Sequence, residues 1–259
     1  GRLLALVAAA RVSSVFAAHI TSRIFPATPA PMGACISAVR MSNVASQQQK
    51  PKDVLRFWLG PEYLTRAVDS QEYTSKQMGL WFGSSVETDA EARKFAALIR
   101  QAGKGELTGA EWSTQDGLVA QLVMLDQMTR NAFRGSPEAF AYDGKAVELA
   151  GRLIALVGDR PADLPWPAAL FVGTAMMHSE EIALHESVES FLKAHVAQSR
   201  TAVLERQLAE SLPEHTAVVR RFGRYPHRNA LYGRETTPEE QAWLDSDDCP
   251  GWAKSQMAK

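Results

Sequence analysis

Two segments hold most of the residues that could do chemistry. The first, Leu118–Phe140, reads as a long apolar helix that ends in charged residues. Its Asp126, Arg130 and Arg134 follow one another at i,i+4 spacing, so they would share one helix face. The second segment, Arg220–Arg234, is rich in arginine. Guanidinium groups bind two oxygens of a phosphate or carboxylate at once, so the two segments together predict a pocket for an anion.

We predict that the ligand-binding residues come from these two segments and from the segment Met177–Glu181 (MHSEE). They are Asp126, Arg130, Asn131, Arg134, His178, Glu180, Arg221, Arg224, His227 and Arg228. The alternative is that the arginines pair with acids inside the fold and hold helices together. Buried networks of that kind can specify packing without adding much stability. The sequence leaves both interpretations open.

A histidine offers a second kind of chemistry. His178 could act with Glu180 or Glu181 as a general acid or base, which indicates a hydrolase-type enzyme with arginines as oxyanion clamps. His178, Glu181, His185 and Glu189 would also fall within about 60° of one another on a continuous helix, where they could bind zinc or iron. Their spacing is not HExxH, and the sequence has no GxSxG, Walker or dinucleotide motif. We predict no metal and no cofactor.

The elements that would position these residues are helices. Thr88–Glu91 and Thr237–Glu240 have the composition of capping boxes, and Ser113–Asp116 can begin the apolar helix of the first segment. No stretch has the alternation of a strand or the turn residues of a hairpin. The pattern therefore predicts an all-α protein of antiparallel helix pairs, either a short α-solenoid or a compact bundle. No repeat of fixed period is present.

The sequence divides into three predicted parts. Residues 1–50 resemble a transit peptide or a disordered leader, because they are rich in Ala and Ser and contain no acidic residue. Residues 51–246 form a single all-α domain, and residues 247–259 a C-terminal tail. If the leader is translated, the expected location is the mitochondrion or chloroplast. A start at Met32 or Met41 would instead leave the protein in the cytoplasm.

The charge balance argues against a nucleic-acid partner. The chain has 28 Lys and Arg against 29 Asp and Glu. The first 52 residues hold six of the basic residues and none of the acidic ones, so the rest has 22 against 29, a net charge of −7. Nucleic-acid-binding proteins usually carry a basic excess. No run reaches the ~18–20 apolar residues of a membrane span. Two cysteines, Cys35 and Cys249, cannot form a disulfide framework.

A series of motifs resembles a known family. They are VLRFWLG, the Trp81-Phe82 pair, LDQMTRNAFRGSPEAFAYD, MHSEE, RFGRYPHRNALYGR and TPEE, in that order, over about Pro51–Leu244. On these motifs the chain is similar to the family called domain of unknown function 924, bacterial proteins with relatives in algae, plants and fungi. The resemblance implies a tetratricopeptide-like helical fold with a concave binding surface. It implies no activity, because the family's function is unassigned.

The resemblance also implies a set of polar site residues. These are Asp126, Gln127, Arg130, Asn131, Arg134, Gly135, Asp143, His178, Ser179, Glu180, Arg221, Arg224, His227, Arg228 and Asn229. The chain departs from the family at Met128-Thr129, where relatives typically read Phe-Pro. It departs again at His185, where an amide or another polar residue is usual, and this weakens the metal alternative.

Composition, motifs and resemblance together predict a soluble helical protein with an Arg/His/Asp pocket. Its partner would be an anionic small molecule or an acidic peptide end, with no nucleic acid and no membrane span. A hydrolase-type enzyme and a protein-interaction scaffold with a purely structural polar network are the two alternatives. The oligomeric state is left open.

Overall fold

The structure, a computed structural model, describes residues 49–83, 85–199 and 201–257. The predicted leader, with its transit-peptide and start-codon interpretations, lies outside these ranges apart from residues 49 and 50. None of the described residues forms a strand, which confirms the all-α prediction. The tetratricopeptide-like pairing of the helices stays a prediction. Within the same ranges, no helix is both long and apolar enough to cross a membrane.

Helices follow one another along the whole described chain. The first are α1 (Pro51–Trp58), α2 (Pro61–Leu64), α3 (Gln71–Phe82), α4 (Val86–Arg93), α5 (Ala96–Lys104) and a 3-10 turn at Ala110–Ser113. Next come α6 (Gln115–Val123), a π turn (Met124–Met128), α7 (Thr129–Ala132), a 3-10 turn (Pro137–Ala139), α8 (Asp143–Val157), a 3-10 turn (Pro161–Asp163) and α9 (Trp166–Met177). The last are α10 (Ile182–Ser199), α11 (Ala202–Arg206), a π turn (Gln207–Ser211), α12 (Leu212–Phe222), a 3-10 turn (Pro226–Arg228), α13 (Asn229–Tyr232), α14 (Pro238–Leu244) and α15 (Gly251–Lys254).

Two helices, α6 and α9, form the centre of the core. Every residue of α9 is buried, and α6 is buried from Gly117 onward. Helices that are apolar on all sides need neighbours on all sides, and here α6 packs against α1 and α8, while α9 packs against α8 and α10. Asp126 lies in the π turn that follows α6, and His178 directly follows α9, so the two central helices of the core position these residues.

Side-chain caps explain where several helices begin. The Thr114 hydroxyl accepts a hydrogen bond from the Gly117 N–H at the start of α6, and the predicted capping box at Thr237 is present. The capping box predicted at Thr88 is wrong, because α4 begins three residues earlier. Its cap is Ser85, whose hydroxyl accepts from the Thr88 N–H. As a result Asp89 lies inside α4 and is buried.

A close approach of the chain to α6 requires a glycine, and its replacement gives a first prediction. A Cβ at Gly117 would lie 2.6 Å from the Trp112 Cα and nearer still to the Glu111 carbonyl oxygen. We expect Gly117→Ala to lower the free energy of unfolding by about 1–3 kcal/mol, the usual cost of overpacking, in urea titrations. The control is Gly144→Ala in α8, where nothing lies within 4 Å. It should leave stability unchanged or raise it by up to about 1 kcal/mol. Equal effects of the two substitutions would contradict this reading of the packing.

Residues near the C-terminus pack against α12. Tyr225, Trp243, Cys249 and Ala253 are buried in one apolar cluster with the inner face of that helix, and Trp252 lies partly buried against it. The segment that the sequence assigns to a tail therefore contributes α15 and its tryptophan to the core beneath the arginine-rich segment.

Candidate functional site

The π turn at Met124–Met128 carries a fully buried carboxylate. Asp126 has no exposed surface, and its Oδ1 lies 2.8 Å from the Nδ1 of His178 and 3.6 Å from an Nη of Arg130. The Gln127 amide donates to its other oxygen, and Arg130 also donates to its carbonyl oxygen. Single π turns inside helices occur frequently at functional sites. Within the described residues, the carboxylate of this turn is stabilised by hydrogen bonds with His178 and Gln127 and by the positive charge of Arg130.

His178 ends α9 and is oriented by Asp126. An ionised carboxylate can only accept a hydrogen bond, so the proton of the neutral imidazole lies on Nδ1. The Nε2 atom then carries a lone pair, and in the part of the chain that the structure describes it has no hydrogen-bond partner. The side chain is 15% exposed. His178 is therefore a fixed imidazole with one basic nitrogen left for another molecule.

At neutral pH the carboxyl group of Asp126 is ionised and the imidazole of His178 is neutral. Burial would raise the pKa of Asp126, but His178 and the positive charge of Arg130 outweigh it and hold that pKa below its usual range. Burial lowers the pKa of His178, and this outweighs the attraction of Asp126. Asp126 is thus ionised while His178 is neutral, which is the state that a general base needs.

Asp143 at the start of α8 joins two buried arginines. Its Oδ2 accepts from Arg130 at 3.1 Å and from Arg228 at 3.0 Å, and both guanidinium groups lie over the Phe140 ring. Two cations therefore share one carboxylate oxygen. The Nε of Arg228 and the Oδ1 of Asp143 are buried without a partner among the described residues. We call Asp126, Arg130, Asp143, His178 and Arg228 the central cluster.

Glu180 belongs to a neighbouring network and is not the partner of His178. Its two oxygens accept from Arg234 at 2.8 and 3.0 Å, and one also accepts from the Tyr225 N–H at 2.9 Å. Burial would raise the pKa of Glu180, but these hydrogen bonds and the charge of Arg234 lower it. Glu181 is exposed. The structure thus joins His178 to Asp126, whereas the sequence suggested Glu180 or Glu181.

Two predicted ligand-binding residues, Asn131 and Arg134, contact α4. Asn131 donates to Asp89 Oδ1 at 2.9 Å, and Arg134 forms a fork on the same carboxylate at 2.9 and 3.0 Å. These hydrogen bonds go to Asp89, whereas Arg130 contacts Asp143 and Asp126 contacts His178. This pair fits the structural interpretation of the polar residues.

Arg221 and Arg224 contact α14. Arg224 forms a fork on the buried Glu240 at 2.6 and 2.8 Å, and the exposed Arg221 lies 3.0 Å from Glu239. Glu240 is also the third residue of the Thr237 capping box. These two arginines therefore fix the entry to α14, and the structure does not bring their guanidinium groups into the central cluster.

Three aromatic rings surround the predicted site residue His227. Its ring centroid lies 5.6 Å from that of Tyr225, 5.4 Å from that of Trp252 and 6.4 Å from that of Phe140. Its Nδ1 is buried without a partner among the described residues. Burial holds the pKa of His227 well below its ordinary value, so the imidazole is neutral and adjoins the central cluster through Arg228.

His215 is a neighbour of the site that the sequence analysis missed. Its ring lies 6.0 Å from that of His178 and stacks on Trp252 at 4.0 Å. Leu212, His215 and Val219 follow at helical spacing on the buried face of α12. A histidine on an apolar stripe is the signal that could have identified it, because buried polar groups require partners.

The geometry does not support the alternative in which His178, Glu181, His185 and Glu189 bind zinc or iron. Both ring nitrogens of His185 have partners, the Thr216 hydroxyl at 3.0 Å and the Ser179 carbonyl at 2.9 Å. Among the residues that the structure describes, no group of three or more His, Cys, Asp or Glu side chains is placed to hold a metal ion.

Comparisons with known proteins agree on the family and assign no activity. A solved structure of a protein of unknown function, ATU0120 from Agrobacterium tumefaciens, has a TM-score of 0.57 and 27% identity. The match covers 75% of this chain and 96% of that one. No curated protein is significantly similar. The model of the family described as "Bacterial protein of unknown function (DUF924)" matches residues 54–248. The chain belongs to this family.

Proposed function

We propose that this chain is an enzyme in which His178 acts as a general base on an anionic substrate held beside Arg130 and Arg228. The observation that carries the proposal is the 2.8 Å hydrogen bond between Asp126 and His178 Nδ1. A buried carboxylate that fixes one imidazole nitrogen and leaves the other free is the arrangement that activates a histidine in acid–base catalysis.

In the proposed reaction His178 accepts a proton, and Asp126 stabilises the positive charge that His178 then carries. Nε2 of His178 takes a proton from an O–H or N–H group of the substrate or of water, and the electron pair of the broken bond stays on that atom. The imidazolium that forms is stabilised by Asp126, which remains ionised. Negative charge that develops on the substrate is stabilised by the two buried guanidinium groups, which act strongly because water is largely excluded from them.

The charges and hydrogen-bond donors of Arg130 and Arg228 are the evidence that the substrate is an anion. The positive charges of Arg130 and Arg228 are shared between Asp143, which both contact, and Asp126, which lies beside Arg130. The buried Nε of Arg228 has no partner within the described residues. An anion would supply the acceptor that the Nε of Arg228 lacks.

Binding without catalysis is a second candidate, because the same unused donors would hold an anionic small molecule or an acidic peptide end. The distinguishing property is turnover that depends on His178. A purely structural network is the third interpretation, in which neither binding nor turnover occurs.

Substitutions at His178 and Arg228 separate these candidates. With p-nitrophenyl acetate and bis(p-nitrophenyl) phosphate as probes, we expect slow hydrolysis that His178→Gln reduces by about a hundredfold to ten-thousandfold. With inorganic phosphate in calorimetry, Arg228→Gln should weaken binding by about tenfold to a hundredfold. The matched control is Arg134→Gln, whose guanidinium is used by Asp89 and which should bind phosphate as the wild type does.

The results of these experiments distinguish the enzyme, the binding protein and the structural network. Phosphate binding without His178-dependent hydrolysis would support the binding protein and overturn the enzyme. Neither binding nor hydrolysis in folded wild-type protein would leave a structural network, and the search would move to protein partners. Circular dichroism of each variant establishes that it remains folded.

A further inference from the structure

His215, which lies beside His178, also donates a hydrogen bond through Nδ1 and leaves Nε2 free within the described chain. The Nδ1 of His215 lies 2.7 Å from the carbonyl oxygen of Ser211. A carbonyl can only accept, so the proton of His215 also lies on Nδ1. Its Nε2 carries a lone pair and has no hydrogen-bond partner within the described ranges. His178 and His215 thus each present one acceptor nitrogen.

Packing holds the His215 ring in place. Trp252 stacks on it with a centroid distance of 4.0 Å and an angle of 15° between the planes. The indole N–H of Trp252 donates to Glu214 at 2.7 Å, and Tyr225 contacts both rings edge-on. The ring therefore keeps one orientation, and its free nitrogen is a fixed feature of the fold.

His215 is neutral at physiological pH. Burial lowers the pKa of His215 to about 3. A neutral imidazole protonated on Nδ1 offers Nε2 only as a hydrogen-bond acceptor. An acceptor nitrogen that no protein group donates to is satisfied by water or by a ligand that replaces that water.

Two of the other three buried histidines differ in this respect, and the third, His227, has a buried Nδ1 without a partner among the described residues. His185 uses both nitrogens, on Thr216 and Ser179, and His195 uses both, on Ser199 and the Leu164 carbonyl. Those imidazoles are structural. The contrast indicates that, within the described chain, the imidazoles next to the central cluster, those of His178, His215 and His227, keep a free nitrogen, whereas His185 and His195 do not.

We propose that His215 is a second substrate-contacting residue and that the substrate is an anion that also carries hydroxyl or amino groups. The Nε of Arg228 requires an acceptor, which the anionic part supplies beside the two positive charges of Arg130 and Arg228. The two imidazole nitrogens require donors, which an uncharged part of the same molecule supplies. This inference rests on the proposed function of His178, since it adds a second contact to the same site.

Carbethoxylation by diethyl pyrocarbonate tests the free nitrogens without any knowledge of the substrate. The reagent is attacked by a neutral imidazole lone pair, and the modified residue is identified by peptide mass spectrometry. In folded protein at neutral pH we expect modification at His178 and His215 and protection of His185 and His195. In urea all four should react, which controls for peptide detection.

The pattern of modification separates the two claims. Reaction at His178 alone would overturn the inference and leave the proposed function standing. Reaction at neither residue in folded protein would overturn both, because both depend on an accessible Nε2. Reaction at both residues supports the inference.

A matched ligand pair tests the substrate class. Calorimetry would compare sn-glycerol 3-phosphate, which carries hydroxyl groups, with methyl phosphate, which carries none. We expect the hydroxylated ligand to bind about tenfold more tightly, the value of one or two good hydrogen bonds. The variant His215→Phe keeps an aromatic ring against Trp252 but lacks the nitrogens, so it should bind the two equally. Equal binding by the wild type, or a preference that survives in His215→Phe, would contradict the inference.

Discussion

Replacing Asp126 with alanine is expected to lower the free energy of unfolding by about 3–5 kcal/mol, as is typical when one partner of a buried ion pair is removed. The substitution leaves the guanidinium of Arg130 and the Nδ1–H of His178 buried without the acceptor that they share. Urea titration followed by circular dichroism measures the change. If the protein no longer folds, Asp126→Asn keeps the volume and one acceptor oxygen and should show a smaller loss.

An exposed aspartate of the same kind provides the control. Asp163 lies 3.0 Å from Arg160, but both side chains are more than half exposed. Exposed ion pairs contribute about 0–1 kcal/mol, so Asp163→Ala should change stability little. A loss below about 1 kcal/mol for Asp126→Ala would mean that water enters the cluster and replaces the carboxylate, which would weaken the case for a dry catalytic site.

Acidification from about pH 7.5 to about pH 5 is expected to destabilise the protein by several kcal/mol. In the unfolded chain an imidazole has a pKa of about 6.5, whereas burial lowers the pKa of His215 to about 3. Between these values the unfolded state binds a proton that the folded state excludes. The stabilisation is therefore complete above about pH 6.5 and is lost as the pH falls. At about pH 5 the share of His215 is about 2 kcal/mol.

Other buried histidines add to the stability that is lost on acidification. The variant His215→Phe isolates the contribution of His215. Burial also lowers the pKa of His178, His185, His195 and His227. The carboxylates with lowered pKa, such as Glu240 at about 2, act only below about pH 4. In urea titrations at both pH values, His215→Phe should lose about 2 kcal/mol less than the wild type. An identical pH dependence in the variant would mean that His215 takes up its proton while folded.

The fold class could be read from the sequence because it depends on local patterns. The apolar run of α6, the glycine and proline breaks and the Thr237 capping box each act over a few residues. The capping box predicted at Thr88 failed because Ser85 offers an equivalent hydroxyl three residues earlier, and local pattern does not rank two such caps. The leader and the predicted tetratricopeptide-like pairing remain predictions.

The candidate site could be read only in part, because its contacts are long-range. Asp126 and His178 were both predicted, but their pairing joins residues 52 positions apart. Proximity in sequence favoured Glu180 instead. Arg134 was predicted from the helix face that it shares with Arg130, and Asn131 as a polar neighbour of that face, but tertiary packing directs both to Asp89. His215 and Trp252 were missed because their contacts, between His178 and His215 and between His215 and Trp252, join residues far apart in the sequence.

The two π turns of the described chain predict how relatives with and without the site should differ in sequence length. A π turn amounts to one residue inserted into an α-helix, and each insertion here carries the acceptor that orients one imidazole, Asp126 for His178 and Ser211 for His215. Deleting one residue from either turn would rotate everything after it by about 100° relative to what precedes it. We expect relatives that lack either insertion to keep the helices and lose the matched pair of imidazoles, so the length of these turns distinguishes members with the site from members without it.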